Sequence, residues 1–150
     1  MIKIRHADTP DEEDILKWKN DKLSVQNSLS KKIVSKYDHK KWFETQLCKQ
    51  PCPILIAYNN DNKIGMVRFD DQVGVFVVSI NLNPKFRGLG LGVEILLEAE
   101  KFFCDKSIKI HAYVQPDNFA SIKLFKKCGY NLKSEDSDSS ELIFKKAISI

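Results

Sequence analysis

The chain has 150 residues, 43% of them hydrophobic and 29% charged, with a formal net charge of +4; this describes one globular domain rather than a disordered, fibrous or disulfide-stapled chain. No apolar run approaches the roughly 20 residues that span a bilayer, and the mild positive charge, without any nucleic-acid-binding motif, suits a small anionic ligand better than a nucleic-acid surface. The polar start MIKIRHADTPDEED does not read as a signal peptide, so Cys48, Cys52, Cys104 and Cys128 are expected to be reduced thiols of a cytoplasmic protein, and the scattered histidines, without a Cys/His cluster, argue against a metal site.

MIKIRHA predicts a strand, with Ile2 and Ile4 alternating against Lys3 and Arg5. TPDEEDILKWKND predicts a helix that has Thr9 as its cap, Pro10 at its first position and acids in its first turn, with Ile15, Leu16 and Trp18 on the buried side. Residues 22 to 36 read as polar and irregular. DHKKWFETQLCKQ predicts a second helix, capped by Asp38, with Trp42, Phe43 and Leu47 inward; Pro51 and Pro53 end it. Three strands follow, PILIAY, KIGMVRF and VGVFVVSINLNP, joined at NNDN and DDQ, and the third is long for a strand. A helix then opens after RGLGLG, with Val93, Leu96, Leu97, Phe102, Phe103 and the stem of Glu100 at roughly helical spacing. SIKIHAYV predicts a strand with Ile108, Ile110, Ala112 and Val114 on one face. Residues 117 to 128 predict a helix stopped by Gly129, and YNLKS and ELIFKKAI close the chain as strands around EDSDSS. The order βααβββαβαββ describes a single α+β domain over residues 1 to 150.

Gly88, Gly90 and Gly92 are three of only six glycines. Their alternation removes side chains where backbone amides can converge on an anion, and the helix that follows aims its positive end at the same point. Arg87 is expected to add a fixed charge, and Leu89 and Leu91 to add amides. The spacing is not that of a dinucleotide-binding fingerprint, and no acid follows where a ribose would need one. A phosphate-binding GK[ST] loop is absent, and a tight turn that serves only packing stays open as an alternative.

RGLGLG is similar to the R/Q-x-x-G-x-G/A signature of the GNAT N-acetyltransferase superfamily, through Arg87, Gly90 and Gly92. VQPDNFASIKLFKKCGY resembles that family's second coenzyme segment, through Asn118, Ser121, Phe125, Gly129 and Tyr130. The resemblance implies the family's acyl-CoA N-acyltransferase fold, a mixed and mostly antiparallel sheet flanked by helices. It also implies acetyl-coenzyme A as cofactor. The strand ending at Asn83 and the strand ending at Val114 would splay apart, and the pantetheine arm would pair with backbone of Ile80, Asn81 and Leu82. Residues 87 to 92 would hold the diphosphate, Asn118 would bond the pantetheine arm, Ser121 would lie near the diphosphate, and Phe125 would flank the coenzyme.

Acetyl transfer to an amine needs a group to take the ammonium proton, a donor for the developing oxyanion, expected to be an amide near Leu82, and an acid for the leaving thiolate. Many relatives use a tyrosine at the position of Phe125, which cannot give a proton; Tyr113 or a water is the substitute. Many also carry a glutamate on the long strand. Here Ser79 and Asn81 share its face and would hold a relaying water.

LKWKND, DHKKWFETQL, IGMVRFD, VSINLNPKFRGLGLG and HAYVQPDN together resemble the branch that acetylates nucleotide-linked amino-deoxy-sugars, as in pseudaminic-acid-type pathways. That implies a UDP-type amino-sugar acceptor, with Arg68 and Asp70 in its pocket. The basic stretch Lys31, Lys32, Lys36, His39, Lys40 and Lys41 would attract a diphosphate. The tryptophan-bearing first half is similar also to ribosomal-protein N-terminal acetyltransferases, and a non-catalytic acetyl-CoA-binding module is a third reading. No nucleic-acid or membrane partner is expected, and a homodimer is compatible with the chain.

Overall fold

The computed structural model describes residues 1–133 and 141–149. Seven strands form one sheet: β1 (Lys3–His6), β2 (Ile54–Asn59), β3 (Asn62–Asp71), β4 (Phe76–Leu82), β5 (Ile108–Val114), β6 (Asn131–Lys133) and β7 (Leu142–Ile148). Their order is β1-β2-β3-β4-β5-β7-β6, antiparallel throughout except for the parallel pair β4–β5. Five helices cover the two faces: α1 (Glu12–Lys19), α2 (Lys22–Asn27), α3 (Lys36–Leu47), α4 (Gly92–Phe103) and α5 (Phe119–Lys127). No helix among the described residues is long and apolar enough to cross a membrane. The expected mixed, mostly antiparallel α+β sheet is the observed one. The EDSDSS turn lies outside the described residues.

Side-chain alternation along the strands divides the core in two. On one face Leu55, Ala57, Val67, Phe69, Val78, Ile110, Ala112, Val114 and Phe144 pack under α4 and α5, which bring Ile95, Leu96, Ala99, Phe125 and Cys128. On the other, Ile54, Ile56 and Met66 meet Ile15, Trp18 and Phe43 of α1 and α3. Within α4 the buried positions are Ile95, Leu96, Ala99 and Glu100. The expected stripe is thus rotated by about one residue, and Phe102 is exposed. Glu100 is buried as a whole side chain, accepting from Tyr130 Oη at 2.6 Å and Lys146 Nζ at 2.7 Å.

Several boundaries differ from expectation for local reasons. Asp8, not Thr9, caps the first turn: its carboxylate accepts from the Thr9 amide, and Asp11 reaches back to the Asp8 amide. Ser35 caps α3 by accepting from the Asp38 amide, so Asp38 sits inside the helix. Part of the stretch expected to be irregular is α2, nucleated by Asp21, whose carboxylate accepts from the amides of Leu23 and Ser24. The strand expected from Val73 begins at Phe76, because Val73 and Gly74 turn with φ of 43° and 87°.

Asp11 locks β1, the first turn and β3 together. It is 1% exposed and takes Arg5 in a two-pronged pair (2.7 and 2.9 Å) and Lys63 at 2.8 Å. Burial opposes its charged form, but the Arg5 and Lys63 bonds and the Asp8 amide outweigh it and hold the carboxyl down at about 2. Because the folded value lies below the ordinary 3.8, this stabilisation is complete above that value and disappears as pH falls through about 2. Asp11→Asn should cost about 2–4 kcal/mol near neutral pH, the lower part of the range for a broken buried pair, because Arg5 and Lys63 keep contact with water. Urea unfolding measured from pH 6 downward checks this: the gap between the two proteins should close as the acid limit is approached.

Candidate functional site

The parallel pairing of β4 and β5 lasts for only two registered positions, Phe76 with Ile110 and Val77 with His111. Beyond them β4 continues to Leu82 and β5 to Val114 without partners between them, which is the expected splay. The Asn83 amide donates to Ile64 O across β3. Backbone groups alternate in an antiparallel pair, so Asn81 and Ser79 also turn theirs toward β3, while Ile80 and Leu82 face the opening. Asn81 therefore has no backbone group in the gap, in contrast to expectation; Ile80 and Leu82 do.

The chain leaves the open end of β4 through a short 3₁₀ turn (Pro84–Phe86) and enters the glycine stretch. Gly88 and Gly90 adopt φ of 76° and 75°, the left-handed region where side chains are strained. A Cβ built on either meets nothing within 4 Å, so open space surrounds the turn. Arg87 and Gly88 form a hydrogen-bonded turn that engages the Leu89 amide; among the described residues the amides of Gly88 and of residues 90–94 donate to no acceptor of the protein, and the first helical bond of α4 is Ile95 N to Leu91 O. No side chain caps α4. A run of unspent donors at the positive end of a 12-residue helix fits a bound diphosphate. Gly92 serves packing as well: a Cβ there would stand 3.2 Å from Leu124 of α5.

Arg87 departs from expectation. Its guanidinium is committed to Asp21 (2.5 Å), Ser24 (2.7 Å), the Leu82 carbonyl (3.3 Å) and Asn81 (3.5 Å). It fastens the base of the glycine loop to α2 rather than standing free for an anion. The Arg87 bond is the first of the causes that lower the Asp21 carboxyl. Asn81 also accepts from Ser24 Oγ at 3.0 Å, so its side chain is a strut between β4 and α2 instead of a water relay.

Polar and charged groups of β3, β4 and β5 gather on the α1–α3 face of the sheet beside the opening. Arg68 and Asp70 pair at 2.7 Å (Nε to Oδ2), and Arg68 reaches Ser79 Oγ at 3.4 Å. Extending the register of Val77 with His111 by two residues puts Tyr113 level with Ser79 across the opening, and Tyr113 is exposed. His111 shares this polar face of β5. Burial, then Lys145 and Lys109, lower its pKa, so the imidazole is neutral at neutral pH. The polar alternation of Lys109, His111 and Tyr113 held the signal for it. Trp42 is half-buried with Lys19 Nζ 4.1 Å and Arg68 Cζ 5.1 Å from its ring centroid. Lys19 was not legible in sequence, because helical spacing does not say which cation leans back over the sheet.

His39 is not a surface group. It is 1% exposed, its Nε2 lies 3.1 Å from the Glu12 carbonyl, and its ring stacks on Phe43. Burial comes first in lowering its pKa, so it is a neutral core histidine and not a diphosphate ligand. Phe125 is likewise a core residue, 4% exposed and packed against Tyr130 and Phe144; it does not border the opening as expected. Asn118 caps α5, accepting from the Ser121 amide at 3.2 Å. Ser121 is half-buried, one turn before Leu124 on the side of α5 that approaches Gly92.

Residues 13–130 match the model of the acetyltransferase (GNAT) family. No curated protein matches the sequence at a significant level. Among solved structures, the chain is similar to a spermidine N-acetyltransferase from Vibrio cholerae in complex with CoA and spermine (TM-score 0.80, 13% identity, 98% of this chain and 94% of that one). It is similar also to a ribosomal-protein-alanine N-acetyltransferase from Brucella melitensis (0.75, 20%, 97% and 99%). A third is the PaiA N-acetyltransferase from Thermoplasma acidophilum in complex with coenzyme A (0.69, 20%, 99% and 99%). At these identities the likeness is one of fold.

Gly90→Val places a branched side chain in the open space of the loop and forces it into a left-handed conformation. Calorimetry should show coenzyme A binding weakened by about 100-fold or more, while thermal unfolding shifts by only the few degrees that a strain of about 1–3 kcal/mol produces.

Proposed function

The chain belongs to the GNAT family of acetyltransferases, and on that premise we propose that it moves an acetyl group from acetyl-coenzyme A to the amino group of a nucleotide-linked amino-deoxy-sugar. The observation that carries the donor half is the run of unspent amides at residues 90–94, close after a strand whose backbone is open at Ile80 and at the Leu82 amide. When bound, acetyl-coenzyme A supplies the acetyl group as an activated thioester. The amides of Gly88 and residues 90–94 would bind its diphosphate, with Gly88, Gly90 and Gly92 keeping their approach clear and Leu91 contributing a main-chain donor only. The backbone of Ile80, on the open edge of β4, would pair with the pantetheine arm, and the Leu82 amide would offer its hydrogen to the acyl oxygen. The Nδ2 of Asn118 is left for the arm once its Oδ1 has capped α5, and Ser121 stands by the loop.

On the acceptor side, Arg68, oriented by Asp70, binds the acceptor, and Ser79 holds a water that relays the ammonium proton to solvent. Tyr113, level with Ser79, would hold the Oη proton that the leaving thiolate needs. Phe125 has no such proton and lies in the core. Alignment of the two reactants supplies the larger share of the acceleration, which is consistent with the lack of an acid on β4. The match in sequence pieces from LKWKND to HAYVQPDN supports the amino-sugar as acceptor, and the cationic groups on this face agree with an anionic one.

Thiol release should be measured with UDP-linked amino-sugars, a peptide bearing a free N-terminal alanine, and spermidine. Preference for the nucleotide-linked sugar is the expected result. Turnover confined to the peptide would replace the acceptor by a protein N-terminus, and tight coenzyme binding without turnover of any amine would make the domain a binding module. Tyr113→Phe should lower kcat by roughly 10²-fold while coenzyme A affinity stays unchanged; an unaltered kcat would hand the proton transfer to water.

A further inference from the structure

We propose that Lys19 and Arg68, both leaning on the ring of Trp42, form a second anion subsite that holds a phosphate group of the acceptor. The proposal deepens the acceptor reading above: it rests on that reading for the identity of the acceptor, and on geometry for the subsite itself.

Three separate elements converge here. Lys19 is the last residue of α1, Trp42 lies on α3 and Arg68 on β3. The two cationic groups stand 4.1 and 5.1 Å from one indole centroid. A cation over an aromatic face is an ordinary attraction, and alone it would explain either residue, but not both. The charges do not balance. Arg68 is paired through Nε with Asp70, whereas Lys19 makes no ion pair with any carboxylate among the described residues. Two cations thus share one acid in a half-desolvated place, where like charges repel more strongly than in water. Burial first, and then the charge of Arg68 against the weaker help of Asp70, hold the Lys19 ammonium down at about 8. A ligand anion would relieve this excess of positive charge.

The chemistry selects the anion. With Nε on Asp70, Arg68 still presents its outer N–H groups, one of them 3.4 Å from Ser79 Oγ. A planar fork beside a compact ammonium and a hydroxyl matches a group with several oxygens on one centre, which is a phosphate. The position fits as well. Ser79 is level with Tyr113 at the opening, so an anion bound past Arg68 lies farther from the reacting amine than Ser79 does, on the α1–α3 face of the sheet. A phosphate linked to the amine through a sugar ring spans such an interval. The subsite is distinct from the amide loop at residues 88–94, whose anion is the coenzyme's.

The test is UDP binding to protein saturated with coenzyme A, so that the amide loop is filled. Fluorescence of Trp42 is the readout; the other tryptophan, Trp18, is buried. The wild type should show saturable quenching by UDP and competition by inorganic pyrophosphate, but none by uridine. Lys19→Met keeps the stem on the ring and removes the charge; it and Arg68→Gln should each weaken UDP binding by roughly tenfold or more, with coenzyme A affinity unchanged. Lys19→Arg should retain it. Absence of UDP binding to the wild type, equal competition by uridine, or affinity untouched by Lys19→Met would each overturn the subsite. If binding is lost in the variants yet no nucleotide-linked amino-sugar is turned over, the subsite stands and the acceptor reading falls. If such a sugar is turned over with a KM that Lys19→Met does not alter, the reading survives and the subsite does not.

Discussion

The whole arrangement depends on a sheet that comes apart in its middle. A parallel pair that closes after Val77 and His111 leaves the backbone of Ile80 and Leu82 without a strand partner, and unpaired main-chain groups are tolerated only where something else reaches them. The surrounding structure keeps the gap from closing or fraying. β4 is held along its full length by β3, and β5 by β7, with a continuous antiparallel register on each side. Under the gap, α4 and α5 press a single core against both halves of the sheet. Glu100, Tyr130 and Lys146 tie α4 to the end of α5 and to β7 through short buried bonds, so the two halves cannot drift independently.

Two kinds of positive potential flank that opening, and they are built differently. The glycine loop offers neutral amides aimed by backbone conformation, which need no counter-ion in the free protein. The α1–α3 face uses formal charges, Arg68 and Lys19, which must be balanced or left at a cost. Arg87 belongs to neither. Its bonds to Asp21, Ser24, Asn81 and Leu82 brace α2 against the end of β4, so a single guanidinium connects the base of the glycine loop with α2.

The strands, the main helices and the glycine loop were readable along the chain because each is governed by short-range rules. Alternation of Ile108, Ile110, Ala112 and Val114 marks a half-buried strand, and glycines at positive φ mark a turn that side chains cannot make. Helix α2 escaped notice because six residues are too few to show a period, although Asp21 was an available cap. His39 and Phe125 were misjudged for one reason: a residue type says what a side chain can do, whereas burial decides whether a ligand can reach it.

By itself, then, the sequence determined the order of elements, the turn with its three glycines, and the want of a carboxylate on β4 or a hydroxyl at Phe125, since these follow from backbone sterics and from which atoms a side chain possesses. Only the folded molecule decided that Arg87 faces Asp21, that His39 is sealed against Phe43 and Glu12, that Ile80 and Leu82 rather than Asn81 open into the gap, and that Lys19 and Arg68 meet over Trp42. Those outcomes join residues far apart in the chain, and such contacts are set by how helices pack on a twisted sheet, for which no local spacing carries a record.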